Sequence, residues 1–508
     1  MTLDVKVGDI SKESLPQIMP DLLRLEHNWT GIGELPWGED KFRDDLPGKW
    51  NMSKYVSANG RIVGYFIGAL VNDGKTGKLV KIITDYNNRG NGISDVLWNE
   101  FLDGCRKHGV EKAEFKVLVN NPRAINFYRK HGCLLNSEKV LGTDNQWRFL
   151  ISYNFHLNDV VKHANPSIGP DDKESVIQAL EGSLSPGVLT DNFVAEMSSY
   201  VGRKYGVATN SGTSALYVAL RSLDVGEGDE VIIPSYTCYS LLSAVEQCRA
   251  KPLLVDINPY DFNISYEDTK AKVNPNTKAI VLPHLFGNPI ANLESFLELG
   301  TPVVEDCAQS VGAEHNGRKV GSFGDISIFS FKATKMMTTG VGGMVLTDNK
   351  GLSDKINALT TYDNRGEHGE CYNFKISDLQ AALGLSQLKK LDGFVGRRKE
   401  IAAKYDQLFR VSNVDFELPP LSDENVFFRY VIKHAESKDF IDVVRARGVE
   451  AVRPVFMPLH SYLALPDKSF PNTSDAYAIS VMIPLYPSLI DRDVENIVGV
   501  MINWKYEK

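Results

Sequence analysis

The chain has 508 residues, 43% hydrophobic and 24% charged, a globular composition that excludes disorder and coiled coil and leaves room for about three units of ~150 residues. Lysine and arginine number 56 against 64 acidic residues, a formal net charge of -8, so there is no general basic surface for nucleic acid or anionic lipid. No apolar run of about 18 residues occurs, and Met1 to Gly8 lack a basic start followed by an apolar stretch, which predicts a cytoplasmic protein without a membrane partner.

The first 155 residues read as mixed α/β, with strand patterns at 61–67 and 79–83. Asp85 to Ile93 then form a glycine-bearing turn, after which Ile93, Val96, Leu97, Phe101 and Cys105 recur on one helical face. Gly90 and Gly92 allow close backbone approach, and the unpaired N–H groups of a first helical turn suit a pyrophosphate. An alternating strand follows at 113–119, and then a helix predicted from Pro122 to Gly132.

Together, Asn87-Asn88-Arg89-Gly90-Asn91-Gly92 and the segment Asn121 to Gly132 resemble the GCN5-related N-acetyltransferase (GNAT) family. The resemblance implies acetyl-CoA as donor, with Asn87, Arg89, Gly90, Asn91, Gly92, Ile93 and Asn121 around the coenzyme. It also implies Tyr128 as the acid for the leaving thiolate. Asn87 stands where the family usually has Gln or Arg. Attack by an amine needs a proton acceptor, and Glu34, Glu39 and Glu100 are all available, each with a solvated surface role as the alternative.

Residues 156–166 lose periodicity and end in Asn165-Pro166, a linker pattern. From Ser167 to Lys508, helical patterns alternate with short apolar strands at 230–233, 252–255, 279–282, 303–304, 326–329 and 343–346. Runs of this kind predict strands covered on both faces, in a mainly parallel sheet. A charged helical stretch spans 383–400, and a smaller α+β part is expected over about 401–508, after a large domain over about 180–400. The six cysteines show neither C-x-x-C nor paired-histidine spacing, so no metal site and no disulfide framework are predicted.

Three features of this second part belong to one chemistry. Asn210-Ser211-Gly212-Thr213-Ser214 opens a helix and suits a phosphate monoester. Asp306 ends an apolar strand, where ligands of open α/β sheets bind. Lys335 follows 29 residues later. An anion cradle, an acid and an amine in this order are what pyridoxal 5′-phosphate requires: an anchor, a partner for the ring nitrogen, and an amine to carry the ring.

With Pro166-Ser167-Ile168-Gly169, Gly228 to Thr237, His284-Leu285-Phe286-Gly287, Glu305 to Gln309, Phe329 to Lys335 and Tyr372 to Ala382, this region resembles the DegT/DnrJ/EryC1/StrS family of fold type I sugar aminotransferases. The resemblance implies a mainly parallel seven-stranded sheet wrapped by helices. It implies that Lys335 forms the internal aldimine, Asp306 pairs with the pyridine nitrogen, Tyr236 stacks on the ring and Gln309 lies beside the ring hydroxyl. It also puts Gly212, Thr213, Ser214 and Ser330 on the phosphate, and Asn373 on the phosphate of a neighbouring subunit in a homodimer with shared sites. Lys332 and Val341 depart from the family pattern, and Lys335 is preferred over Lys332 because it keeps the register from Ser330. His284 and His460 are either substrate contacts or hydrogen-bonded structural histidines, and Arg453 is a candidate substrate contact.

The expected protein is therefore a bifunctional α/β enzyme. Its second part would transfer an amino group from glutamate to a nucleotide-linked keto-deoxysugar, at C4 by the resemblance of Thr338-Thr339-Gly340. Its first part would acetylate the amino sugar or, alternatively, serve as a non-catalytic acetyl-CoA-binding or assembly module.

Overall fold

The computed structural model describes residues 5–28, 36–72, 74–131, 133–142, 146–154, 160–363, 368–412 and 414–505. The chain divides into two compact units, residues 1–160 together with 495–508, and residues 161–494. Glu34, Gly132 and the expected linker residues 156–159 lie outside the described residues.

The first unit is built on a seven-stranded sheet: β1 (Val5–Asp9), β2 (Lys54–Ala58), β3 (Arg61–Val71), β4 (Thr76–Thr84), β5 (Lys112–Leu118), β6 (Leu134–Leu141) and β7 (Trp147–Asn154), in the order β1-β2-β3-β4-β5-β7-β6. β3 is nearly all apolar because both its faces are covered. Tyr65 and Ile67 pack with Ile18, Leu22 and Leu25 of the helix Leu15–His27. Phe66, on the other face, packs with Leu97 and Phe101 of the helix Ile93–Lys107. Strand β4 pairs with β5 in parallel only at Thr76–Lys112, Gly77–Ala113 and Lys78–Glu114. Beyond that point β4 stays on β3 and β5 stays on β7, so the two strands diverge and open a cleft.

The second unit holds β8 (Tyr205–Thr209), β9 (Glu230–Pro234), β10 (Lys251–Val255), β11 (Thr277–Pro283), β12 (Val303–Asp306), a small hairpin of β13 (Glu314–His315) and β14 (Arg318–Lys319), β15 (Ile326–Ser330) and β16 (Gly343–Thr347). Seven of these form one sheet in the order β10-β9-β11-β12-β15-β16-β8. The first five are parallel, while β16 alone is reversed, pairing antiparallel with β15 on one side and β8 on the other. Strand alternation sends Val231, Ile233, Val281 and Ile328 into one core and Ile232, Ile280 and Leu282 into another, the two-faced burial that the apolar runs predict. A terminal α+β part carries β17 (Tyr430–Lys433) paired antiparallel with β18 (Ser480–Ile483).

Two local expectations change. The helical pattern over 383–400 divides into the helices Asp378–Leu388 and Leu391–Val411, at the point where Lys390 turns its ammonium to Asp172, 2.6 Å away. Val161 and His163 are not linker: Val161 bridges to Val449, and the His163 N–H donates to Glu450 at 2.9 Å. Their backbone groups find partners in the second unit, which periodicity could not reveal.

Candidate active sites

In the second unit, β12 and β15 lie side by side and end at Asp306 and Ser330. Ser330 belongs with Asp306, Gly212, Thr213, Gln309 and Lys335 to the wall of one cavity of about 430 Å³. Asp306 is 6% exposed and accepts the Ala308 N–H at 2.9 Å. Burial raises its pKa, against the Ala308 N–H and the nearby Lys335 charge. Burial also lowers the pKa of Lys335, with Arg429 and Lys332 adding to the effect and Asp306 opposing it. The carboxyl and the amine are thus each less readily ionised than in water. Gln309 lends its side-chain oxygen to the Phe286 N–H at 3.0 Å.

The helix Gly212–Ser222 opens toward the same cavity, with Ser211 as its cap; Ser211 Oγ accepts the Ser214 N–H at 3.0 Å. Gly212 is required by close approach, since a Cβ there would stand 2.7 Å from Ser330 Cβ. Thr237 lines this cavity as well; it is 1% exposed, and its hydroxyl has no hydrogen-bond partner. A helix N-terminus, an orphaned buried hydroxyl, Ser330, an acid and an amine on one wall fit pyridoxal phosphate.

Two expected residues, Tyr236 and Ser214, are placed differently. Tyr236 is fully buried among Phe262 and Phe286, at ring distances of 5.9 and 6.4 Å, and does not reach the cavity. The chain leaves β9 with Ser235 and Tyr236 facing inward, and Thr237, Cys238 and Tyr239 form the wall instead. Ser214 spends its hydroxyl on Asn210 Oδ1 at 2.7 Å and lies outside the lining. Asn373 is exposed, and its carbonyl accepts from the Asn210 side chain at 3.4 Å. Lys332 and Val341 both line the cavity.

Neither histidine is a cavity residue. His284 is fully buried, its Nδ1 accepting the Ile290 N–H at 3.1 Å and its Nε2 meeting Glu305 at 3.2 Å. Its cluster with Glu305 and Cys307 is interior, and the Glu305 carboxylate accepts the N–H groups of Gly321, Phe323 and Gly324. His460 is 1% exposed and lies between Ser235 Oγ at 2.7 Å and Asp467 at 3.0 Å.

Sequence reasoning missed Phe428 and Arg429, which also line the cavity. The Lys335 ammonium lies 5.2 Å from the Phe428 ring centre, and burial lowers the Arg429 pKa to about 10. They arrive through Phe427, whose φ of 47° is left-handed, a costly conformation for a bulky residue. Arg398 donates to the carbonyls of Phe427, Phe428 and Leu485 at 3.3, 3.1 and 2.9 Å and holds this turn. Phe427-Phe428-Arg429-Tyr430, a cation inside an aromatic run, was the available signal.

In the first unit, the cleft between β4 and β5 has a volume of about 390 Å³ and is lined by Arg89, Asn121 and Tyr128 among others. Gly90 and Gly92 adopt left-handed φ values of 84° and 76° at the helix entry. Asn87 closes the turn through its N–H on Asp85, 3.4 Å away, and Asn91 is exposed. Ile93 is 1% exposed and its side chain belongs to the core, so only its backbone is placed at the loop. Asn121 Oδ1 accepts the Ala124 N–H at 3.1 Å and caps the helix Pro122–Lys130. Tyr128 is 6% exposed, with its ring 4.4 Å from Phe115.

The charged residues of this cleft are Lys81, Arg89, Lys116 and Arg123, with no carboxylate in the lining among the described residues. Burial lowers the Arg89 pKa, and Arg123 lowers it further. Such a donor set fits an anionic coenzyme. Glu39 pairs with Arg43 at 3.2 Å and Glu100 with Lys54 at 3.3 Å, and neither reaches the cleft. A carboxylate that sequence reasoning passed over is Glu26. It is 1% exposed, accepts the Trp37 N–H at 2.9 Å and the Tyr65 hydroxyl, and lies 3.7 Å from Lys81.

Residues 166–502 match the model of the DegT/DnrJ/EryC1/StrS aminotransferase family. The chain belongs to that family. Residues 19–133 match the acetyltransferase (GNAT) family, so the first unit carries a GNAT domain. The spore coat polysaccharide biosynthesis protein SpsC of Bacillus subtilis is 33% identical over 382 residues, 67% of this chain and 96% of that protein. The GDP-perosamine synthase of Caulobacter vibrioides is 31% identical over 366 residues, 66% of this chain and 96% of the enzyme. Among solved structures, the aminotransferase TlmJ from Streptoalloteichus hindustanus superimposes with a TM-score of 0.64 at 29% identity, covering 68% of this chain and 98% of its own. DesV of S. venezuelae gives 0.63 at 27% identity, covering 66% and 94%. This sugar aminotransferase is accordingly of fold type I and pyridoxal phosphate-dependent. Among the described residues, no helix is long and apolar enough to cross a membrane.

Proposed function

We propose that this chain aminates the C4 keto group of a nucleotide-linked deoxysugar, with glutamate as amino donor, and then acetylates the new amine from acetyl-CoA. The observation that carries the first half is the convergence of Lys335, Asp306, Gly212, Thr213 and Ser330 on one cavity. Pyridoxal phosphate, when bound, supplies an electron sink and an acceptor for the amino group. Asp306 would hold a proton at the pyridine nitrogen, a role in which the cationic partner stabilises its carboxylate. Lys335, with its lowered pKa, would take a proton from the amine-bearing carbon of the donor and return one to the sugar carbon. The Gly212 helix entry, Thr213, Thr237 and Ser330 would hold the phosphate, and Asn373 would reach the phosphate of a second copy in a homodimer.

For acetyl transfer, the cationic cleft would bind the coenzyme A anion and Tyr128 would protonate the departing thiolate. The absence of any carboxylate from the described cleft lining favours a second reading, in which the GNAT domain binds acetyl-CoA without turning it over. The deciding experiment incubates the protein with pyridoxal phosphate, glutamate, acetyl-CoA and a panel of nucleotide-linked 4-keto-6-deoxyhexoses, followed by mass spectrometry and NMR. An N-acetylated 4-amino sugar supports the proposal, and an unacetylated amino sugar with coenzyme binding intact supports the second reading. No amination with any keto sugar overturns both.

A further inference from the structure

The arginines folded into the second unit find fixed partners. Arg203 meets Asp348 at 3.0 Å and donates to the carbonyls of Gly321 and Gly324, and Arg398 spends its charge on the three carbonyls already described. Arg453, expected as a substrate contact, stacks 4.7 Å from the Tyr477 ring centre and donates to the Tyr477 carbonyl; it lines a neighbouring cavity that shares Phe456 with the Lys335 cavity. Arg429 differs. It is half-buried in the wall of the Lys335 cavity, and among the described residues it has no carboxylate partner, only the Met482 sulfur, a weak acceptor. Its guanidinium lies 4.7 Å from the Phe428 ring centre, and the Lys335 ammonium lies 5.2 Å from the same centre. The turn is held close on this side too: the Arg429 N–H donates to the Phe286 carbonyl at 3.2 Å, and at left-handed Gly287 a Cβ would stand 2.7 Å from the Phe428 nitrogen. With a pKa of about 10 the group is still a cation at neutral pH. A charge withdrawn from water is costly unless an opposite charge meets it.

We infer that Arg429 is the anchor for the α-carboxylate of the amino donor and sets the preference of this cavity for an amino acid over an uncharged amine. A donor that exchanges its nitrogen at the place of the Lys335 amine carries its α-carboxylate two bonds from that nitrogen, so the anion must lie close to Lys335, where Arg429 shares the Phe428 ring with it. The planar guanidinium offers parallel N–H groups that fit a carboxylate. The coenzyme phosphate has a separate cradle in the Gly212 helix entry, Thr213, Thr237 and Ser330. Lys332 also lines the cavity, but it is exposed and water satisfies its charge. A keto sugar brings hydroxyls to its reacting end, so an arginine at this place tells donor from acceptor. The inference rests on the proposed glutamate donor.

The test uses the full chain loaded with coenzyme, and the variants Arg429→Met, which keeps bulk without charge, and Arg429→Lys, which keeps charge without the planar fork. Glutamate, its α-amide and its γ-amide are compared as donors through the coenzyme absorbance near ~420 nm. Binding of 2-methylglutamate, which has no proton on its amine-bearing carbon, is measured by calorimetry. In the wild type the α-amide is expected to bind about 10²-fold more weakly than the γ-amide, a comparison that needs no variant to fold. In Arg429→Met that preference disappears and 2-methylglutamate binds about 10²-fold more weakly, while coenzyme affinity is little changed; Arg429→Lys restores part of both. Equal use of the two amides by the wild type, or a preference that survives in Arg429→Met, overturns the anchor and leaves the amination reading intact. Weaker coenzyme binding in both variants with the preference kept assigns Arg429 to the phosphate and overturns the anchor as well. A wild type whose coenzyme absorbance responds to no amino acid overturns the donor reading, and the anchor with it.

Discussion

The two ligand openings of this chain are made in opposite ways. In the GNAT domain the cleft is a fault in a sheet: β4 and β5 pair over three residues and then part, so facing strand edges and the side chains between them form the walls. In the aminotransferase unit the sheet stays paired, β12 on β15 up to Asp306, and the cavity is built beyond the strand ends by loops and a helix entry. A split sheet offers backbone groups and a narrow slot, suited to an extended coenzyme arm. Strand ends of a doubly wound sheet offer side chains converging from several elements, suited to proton transfer at a ring.

That contrast predicts that single side chains matter most in the second unit. Lys335→Ala is expected to lower transamination by about 10⁴-fold or more and to abolish the coenzyme absorbance near ~420 nm, while Lys332→Ala keeps both; absorbance that survives Lys335→Ala and disappears in Lys332→Ala would reverse the assignment. In the first unit, Tyr128→Phe is expected to reduce kcat for acetyl transfer by about 10²-fold without raising KM for acetyl-CoA. An unchanged kcat would remove Tyr128 from proton transfer and leave the cleft as a backbone-built slot.

Glu26→Gln sharpens the comparison through stability. The Glu26 side chain is fully buried and Lys81 nearly so, and removing one partner of a buried pair costs about 3–5 kcal/mol. Calorimetry of the full chain should show the transition of the first unit falling by several degrees while that of the coenzyme-loaded second unit holds; an unmoved first transition would mean that the pair contributes nothing. The smallest effect concerns thiols. Burial pushes Cys105 and Cys248 up to about 12 and raises Cys133 and Cys307 well above the ordinary range. Their reactive thiolates therefore form only as pH climbs toward those values. Between pH 7 and 9, iodoacetamide should modify exposed Cys238, more slowly once pyridoxal phosphate is bound, and leave these four intact by mass spectrometry.

Part of the candidate site was legible residue by residue. Lys335, Asp306, Ser330, Gly212 and Thr213 share one wall, as their order along strands and turns implies, because strand ends and helix entries are written in local residue patterns. Tyr236 was misplaced for a different reason. Ser235, Tyr236, Thr237 and Cys238 follow one another across a bend after β9, and which of them faces the cavity depends on the Phe262 and Phe286 rings packed against Tyr236 from distant segments. Glu26 escaped notice because its partners, Tyr65 and Lys81, are 39 and 55 residues away.

By itself, then, the sequence determined the two-part α/β organisation, the apolar strands and the order of anion cradle, acid and amine, since each depends on near neighbours through hydrogen bonding, φ/ψ preference and side-chain period. Only the tertiary structure decided where β4 leaves β5, that Phe428 and Arg429 enter the Lys335 cavity through a left-handed Phe427 held by Arg398, and that Phe456 stands between two cavities. These features arise from packing between residues far apart in the chain, where burial and steric fit override local preference.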